Sequence, residues 1–251
     1  MKIVVIGGTG LIGKKTVERL NKLGHTAVPA SPSSGVDTIS GKGLSEALAG
    51  ADVVIDLANA PSWEESAVME FFTTSAKNIA AAEKAAGVKH HVGLSIVGTE
   101  RLQENGYFRA KLAQEAVVKG SGVPFTLVHS TQFHEFIKGI AEAGQVGDAI
   151  HISPAYIQPI AADDVADIVT DIATGAPLNG TIDIAGPDRF RMSELVTKFF
   201  AAEGDPRKVV ADVHAKYFGS ELKDDSIVPA GEARLGKISF KDWRAAQPKA
   251  N

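Results

Sequence analysis

A doubly wound α/β fold, with a mainly parallel sheet covered by helices and a small C-terminal lobe, is predicted by three observations. Short β-branched runs alternate with longer segments of helical spacing from residue 2 to about residue 130. The runs are apolar throughout rather than at every second position, which implies burial on both faces and hence a parallel sheet between helical layers. Several helical segments stop at a glycine (Gly24, Gly50, Gly87, Gly120), the residue that best adopts the left-handed conformation after a helix.

Taken in order, strands are predicted at 2–6, 25–30, 51–57, 91–95 and 125–129, with helices at 11–23, 44–49, 66–86 and 107–119. Beyond residue 131 the rhythm loosens. A helix is expected at 133–143, strands at 149–152 and 156–160, and a helix at 163–173 capped by Asp163. A strand follows at 181–185, then a helix at 193–203 capped by Ser193. The tail from 216 to 251 reads as irregular and polar, with apolar anchors at Ile238, Phe240 and Trp243. Neither a Pro/Gly/Ser-rich linker nor an internal repeat divides the chain. Residues 1–251 therefore read as one domain, in which 131–251 contributes a small substrate lobe.

The 251 residues include 26 Lys and Arg against 30 Asp and Glu, a formal charge of −4, and are 44% hydrophobic and 22% charged. That is the composition of an ordinary globular protein, and its mild acidity argues against a nucleic-acid partner. With no cysteine, disulfides, thiolate metal sites and a cysteine nucleophile are excluded. The apolar run after Lys2 ends at Gly7, too short for a signal peptide, and no stretch approaches the roughly 18–20 apolar residues of a membrane span. A cytoplasmic location is expected.

Gly7-Gly8-Thr9-Gly10-Leu11-Ile12-Gly13 lies between the first strand and the first helix. Such a loop needs glycine for a tight turn, for close approach of backbone to a pyrophosphate, and for packing of helix on strand at Gly13. The helix N-terminus then turns unpaired N–H groups and partial positive charge toward the phosphates. The order strand, loop, helix is the context that gives the motif meaning, and it predicts a Rossmann-like dinucleotide-binding unit.

The spacing Gly-x-x-Gly-x-x-Gly resembles the extended and atypical branches of the short-chain dehydrogenase/reductase superfamily, which include the NmrA-like proteins. Residues 51–56 (Ala-Asp-Val-Val-Ile-Asp), 87–95, 122–128 and 160–166 resemble further segments of that superfamily in the same order. The resemblance implies that Asp37-Thr38 lies beside the adenine and Asn59 beside the cofactor ribose. It also implies that Tyr107-Phe108-Arg109-Ala110-Lys111 is the catalytic Tyr-x-x-x-Lys pair. Four residues apart on a helix, the two side chains share a face. A lysine ammonium near the phenol is expected to lower the tyrosine pKa, so that the phenol passes a proton to or from a substrate oxygen. By the same resemblance Lys111 also holds the nicotinamide ribose, and Ser95, at the strand end, holds the substrate carbonyl. The plainer alternatives are a packed tyrosine beside a solvated lysine, and a serine that satisfies local backbone.

The chain departs from the resemblance at His129-Ser130-Thr131-Gln132-Phe133, where extended members carry Arg-Pro-Gly-like residues; Gln132 and Phe133 are pocket candidates. No metal site is expected at His90-His91. NADP(H) is the expected cofactor, with NAD(H) possible. The second strand ends in Val28-Pro29-Ala30-Ser31-Pro32-Ser33-Ser34, without the acid that NAD-binding relatives use on the ribose 2′-hydroxyl. Ser31, Ser33 and Ser34 can donate to a 2′-phosphate, and Lys14 can supply a cation. The competing reading makes the serines a plain turn and Asp37 the ribose acid. The function expected is an NADP-dependent oxidoreductase acting on a small carbonyl or alcohol substrate. The alternative is an NmrA-like dinucleotide sensor without turnover, against which the Tyr–Lys pair argues. A nucleotide-sugar epimerase would need a larger C-terminal lobe.

Overall fold

The computed structural model describes residues 1–247. It contains the predicted central sheet. The strands are β1 (Lys2–Ile6), β2 (Thr26–Ala30), β3 (Val53–Asp56), β4 (His90–Ile96), β5 (Phe125–Ser130), β9 (Gly180–Ala185) and β12 (Arg234–Leu235). Their spatial order is β12-β9-β5-β4-β3-β1-β2. β1 pairs in parallel with both β2 and β3, placing Ile6 beside Ala30 and Asp56. β3 pairs in parallel with β4, with Asp56 opposite Gly93. The order reverses at β1, so the loops after β1 and β3 leave the sheet side by side at its carboxyl edge, where open α/β sheets bind ligands.

By density of internal contacts the chain forms two compact units. The first comprises Met1–His129 and Val165–Ile182. Its helices are α1 (Leu11–Lys22), α2 (Leu44–Leu48), α3 (Glu65–Ala86) and α4 (Gly106–Gly120), joined by most of α6 (Ala162–Thr174). The core beside β1 and β3 is aliphatic, with Val4, Ile6, Leu44, Leu48, Val54 and Ile79 buried together. Helix α3 starts where the Glu64 carboxylate accepts from the Ser66 and Ala67 amides, and it stops at Gly87, whose φ is +70°. Helix α4 is capped by Asn105, which accepts from the Tyr107 and Phe108 amides. Contrary to expectation, Gly120 lies inside α4, and Gly122 takes the positive φ (+79°).

The second unit comprises Ser130–Asp164 and the chain from Asp183. It carries α5 (Ile137–Ala143), β6 (Gln145–Val146), β7 (Ala149–Ile152), β8 (Tyr156–Ile157), β10 (Phe190–Arg191), α7 (Met192–Glu203), β11 (Lys208–Ala211) and α8 (Phe240–Ala245). β7 pairs antiparallel with β6 and parallel with β11. The helix expected from 133 opens instead as a short 3₁₀ turn, His134–Phe136. Two predicted caps fall inside their helices. Asp163 sits in the first turn of α6, where its charge complements the helix dipole. Ser193 lies after Met192, and the N-cap of α7 is Arg191. The tail is more ordered than its composition implied, since β12 and α8 lie within it, and Ser239 caps α8 by accepting from the Asp242 amide. Residues 248–251 of that tail lie outside the described residues.

Candidate active site

The glycine loop has the geometry its sequence requires. Gly7 has φ +73°, and a Cβ there would lie 2.8 Å from the Leu57 carbonyl oxygen, so the loops after β1 and β3 touch backbone to backbone. A Cβ on Gly13 would collide with the Gly7 carbonyl and lie 2.6 Å from the Gly8 Cα. Helix α1 begins at N-cap Gly10, which offers no side-chain acceptor, and its first turn carries no acidic residue. Thr9, Gly10 and Leu11 are exposed while Ile12 is buried in the core. The first turn thus presents backbone N–H groups and positive dipole to solvent with nothing of its own to satisfy them. This loop, folded too tightly for a Cβ at Gly7, Gly8 or Gly13, fits a dinucleotide pyrophosphate.

At the end of β2, Ser31, Ser33 and Ser34 form the turn that the competing reading described. Ser31 N–H donates to the Ser34 hydroxyl at 2.9 Å, the Ser31 and Ser33 hydroxyls lie 2.9 Å apart, and Ser34 Oγ donates to the Ser31 carbonyl at 3.0 Å. Ser31 is buried, whereas Ser33 and Ser34 are exposed. Asp37 turns its carboxylate into its own loop, accepting from the Ile39 amide at 2.8 Å and the Ser40 hydroxyl at 2.7 Å; the Ser40 bond foremost holds its carboxyl below the usual range. The carbonyl of the buried Thr38 is held by Asn78 Nδ2 at 2.9 Å.

Tyr107 and Asn59 meet. The Tyr107 hydroxyl donates to Asn59 Oδ1 at 2.8 Å, and the ring packs edge-on against Phe72 and obliquely on Trp63, centroids 5.5 and 5.6 Å away. The expected lowering of its pKa is corrected by the structure: burial pushes the phenol up to about 12. The reason is the route taken by Lys111. Its ammonium turns inward, donating to the Leu94 carbonyl at 2.8 Å and to Gln114 Oε1, 4.4 Å from the centre of the Phe72 ring. Only 3% of Lys111 is exposed, and burial brings its pKa down to about 8 against the opposing pull of Asp56 and Glu115.

Ser95 does not join the pair. It is buried, and its hydroxyl donates to Glu115 Oε1 at 2.6 Å. The same oxygen lies 3.1 Å from His129 Nε2, and Lys119 approaches the other at 3.3 Å. Burial works against the Glu115 charge, yet the bond and charge of His129, with Ser95 and Lys119, bring its pKa down to about 2. Glu115, Gln114 and Asp56 are polar residues that sequence reasoning passed over. The signal was present: Tyr107, Lys111, Gln114 and Glu115 recur at helical spacing on α4, where an apolar stripe would ordinarily face the sheet. His90 and His91 diverge, as neighbours on a strand must. His90 reaches Thr126 at 2.9 Å, while His91 Nδ1 lies 2.6 Å from Glu83. Among the described residues no group of three or more His, Asp or Glu could hold a metal ion.

In the second unit, Phe133 stacks on Phe136 at 5.4 Å, and Gln132 Oε1 is buried without a hydrogen-bond partner. His134 stacks on Trp243 at 5.3 Å, while Glu135 accepts from the Trp243 indole N–H at 3.1 Å.

A glycine loop between the first strand and first helix of a parallel α/β sheet is the layout of a short-chain dehydrogenase/reductase type of fold, and the comparisons agree on that fold. Residues 7–175 match the NAD(P)H-binding family, and the chain belongs to it. It is 28% identical over 223 residues to (4-alkanoyl-5-oxo-2,5-dihydrofuran-3-yl)methyl phosphate reductase of Streptomyces griseus, covering 81% of this chain and 74% of that protein. Among solved structures it resembles a dTDP-4-dehydrorhamnose reductase from Bacillus anthracis in complex with NADP (18% identity, TM-score 0.68, 89% of each chain). It also resembles a short-chain dehydrogenase/reductase superfamily protein from Agrobacterium tumefaciens with bound NAD (15% identity, TM-score 0.72, 98% and 95% of the two chains). Family, fold and reductase relative agree on an NAD(P)-dependent oxidoreductase. No helix among the described residues is long and apolar enough to cross a membrane.

Proposed function

We propose that this protein is an NADP(H)-preferring reductase of a small carbonyl compound, with Tyr107 as proton donor and Lys111 as its electrostatic partner. The observation that carries the reading is the Tyr107–Asn59 hydrogen bond. It places the phenol over the loop after β3, which itself touches the glycine loop at Gly7. Gly7, Thr9, Gly10, Leu11, Ile12 and Gly13 would hold the pyrophosphate, Asp37 and Thr38 would lie beside the adenine, and Asn59 and Lys111 would lie beside the nicotinamide ribose. When bound, the dinucleotide supplies the hydride. The chain supplies the proton. With its pKa near 12, Tyr107 carries that proton at neutral pH, and Asn59 Oδ1 occupies the acceptor position a substrate oxygen would take. For its positive charge to favour the phenolate left behind, Lys111 would have to turn from the Leu94 carbonyl and Gln114 toward Tyr107. For Ser95 to hold the substrate carbonyl it would have to release Glu115.

Preference for NADP(H) rests on the end of β2, which lacks an acid from Ala30 to Val36, and on the exposed Ser33, Ser34 and Lys14. Isothermal titration is expected to show tighter binding of NADPH than of NADH; the reverse order overturns the preference. NADPH oxidation should then be followed with aldehydes, ketones, quinones, enones and oxo-dihydrofurans, the last because the Streptomyces griseus relative is named for such a substrate. Saturable oxidation with at least one class is expected. NADPH binding with no oxidation across the panel would favour the sensor reading.

A further inference from the structure

Asp56 closes β3 with both carboxylate oxygens engaged. Oδ1 accepts from the Ala58 amide at 3.1 Å, and Oδ2 accepts from Gln114 Nε2 at 2.9 Å. Gln114 in turn presents its Oε1 to the Lys111 ammonium. The three side chains are buried together. A carboxylate only accepts and an ammonium only donates, so the amide between them fits in a single orientation. One oxygen of Asp56 therefore secures the loop carrying Asn59, the partner of Tyr107. The other secures Lys111 through Gln114. We propose, resting on the assignment of Tyr107 and Lys111 as the working pair, that Asp56 acting through the Gln114 amide is a positioning residue. It holds the Lys111 ammonium in place and charged while tethering the loop that holds the Tyr107 hydroxyl.

The surroundings give Lys111 little else to keep it charged. From α3 comes the Phe72 ring and from β4 the Leu94 carbonyl. Glu115, on its own helix, is already engaged by Ser95, His129 and Lys119. Tyr107 is held neutral by its burial. The buried His91–Glu83 pair contributes a net neutral couple when the imidazole is protonated, the form that Glu83 and Asp56 favour against burial. Asp56 is the foremost influence that resists the loss of the Lys111 proton to burial.

The test is an NMR titration of Lys111 in protein labelled at the lysine ¹³Cε, read without substrate or cofactor. In Asp56→Asn the single amide oxygen is needed by the Ala58 N–H, so the new NH₂ faces Gln114 and turns that amide over. Its own NH₂ then points at Lys111. The Lys111 midpoint is expected to fall by at least about one pH unit, a tenfold change in ionisation. In Asp56→Asn combined with Gln114→Glu a carboxylate again faces Lys111, and the midpoint should return to the wild-type value or above. The alkaline limb of turnover should follow both movements. An unchanged midpoint in Asp56→Asn, or no recovery in the double variant, overturns the proposal. Should Asp56→Asn fail to fold, Gln114→Met removes the acceptor alone and must also lower the midpoint; an unchanged value there overturns it equally. If the midpoints move as stated while turnover and cofactor affinity do not, the positioning stands and the catalytic reading of Lys111 fails.

Discussion

Replacing Tyr107 by Phe separates the chemistry of the phenol from its packing. The ring contacts with Phe72 and Trp63 are retained, and the only bond removed is the 2.8 Å hydrogen bond to Asn59. Asn59 is exposed, so its oxygen regains water when the hydroxyl is gone. The stability cost should therefore lie at the low end of the hydrogen-bond range, about 0.5–1 kcal/mol, or roughly 1–4 °C in the melting temperature of a chain this long. Loss of a general acid, by contrast, costs about 10²–10⁴-fold in turnover. The decisive experiment compares kcat for reduction of a genuine substrate with the NADPH dissociation constant from titration, in wild type and Tyr107→Phe. Expected is a fall in kcat of at least about 10², with cofactor affinity within about twofold. Near wild-type kcat would refute the role of Tyr107. An equal loss of cofactor affinity would show that the hydroxyl serves binding instead.

Other outcomes follow from the same geometry. Gly13→Ala should abolish dinucleotide binding by titration while folding survives, because the new Cβ meets the Gly7 carbonyl and forces α1 away from the loop, partly offset by about 1 kcal/mol of gained helix propensity. Lys14→Ala should weaken NADPH and leave NADH unchanged if that exposed cation serves the 2′-phosphate, and equal loss for both would assign it to the pyrophosphate. Acid should destabilise the protein through His134, whose pKa burial brings down to about 4. Between that value and its ordinary 6.5 the unfolded chain binds the extra proton, so stability falls as pH drops through this window, by about 3 kcal/mol in full. Thermal melts from pH 7 to 4.5 should show a shallower decline in His134→Phe than in wild type, and parallel declines would remove His134 from the account.

The strand–helix alternation to residue 130, the parallel sheet and the glycine loop were all legible in the sequence. They rest on local properties: β-branched runs buried on both faces, amphipathic spacing, and turns only glycine can make. Asn105 before Tyr107 and Gly87 after α3 act within a few residues of their own position. Where local signals misled, the neighbouring turn decided. Ser193 and Asp163 are good caps, yet α7 and α6 begin one residue earlier, where Arg191 leads into Met192 and Ala162 is already helical. The polar tail acquired β12 because Arg234 and Leu235 find Ile184 and Ala185 as partners, a pairing across about 50 residues that composition does not encode. The same limit governed the site. Tyr107 and Lys111 were visible as a spacing, but the destination of the ammonium was not. Gln114 lies three residues further along α4, but Leu94 and Asp56 come from a strand and a strand end that meet the helix only when the sheet is assembled. Burial of Lys111 and Tyr107, and with it the direction of both pKa shifts, is a property of that assembly, because desolvation depends on everything packed around a group and not on its neighbours in the chain.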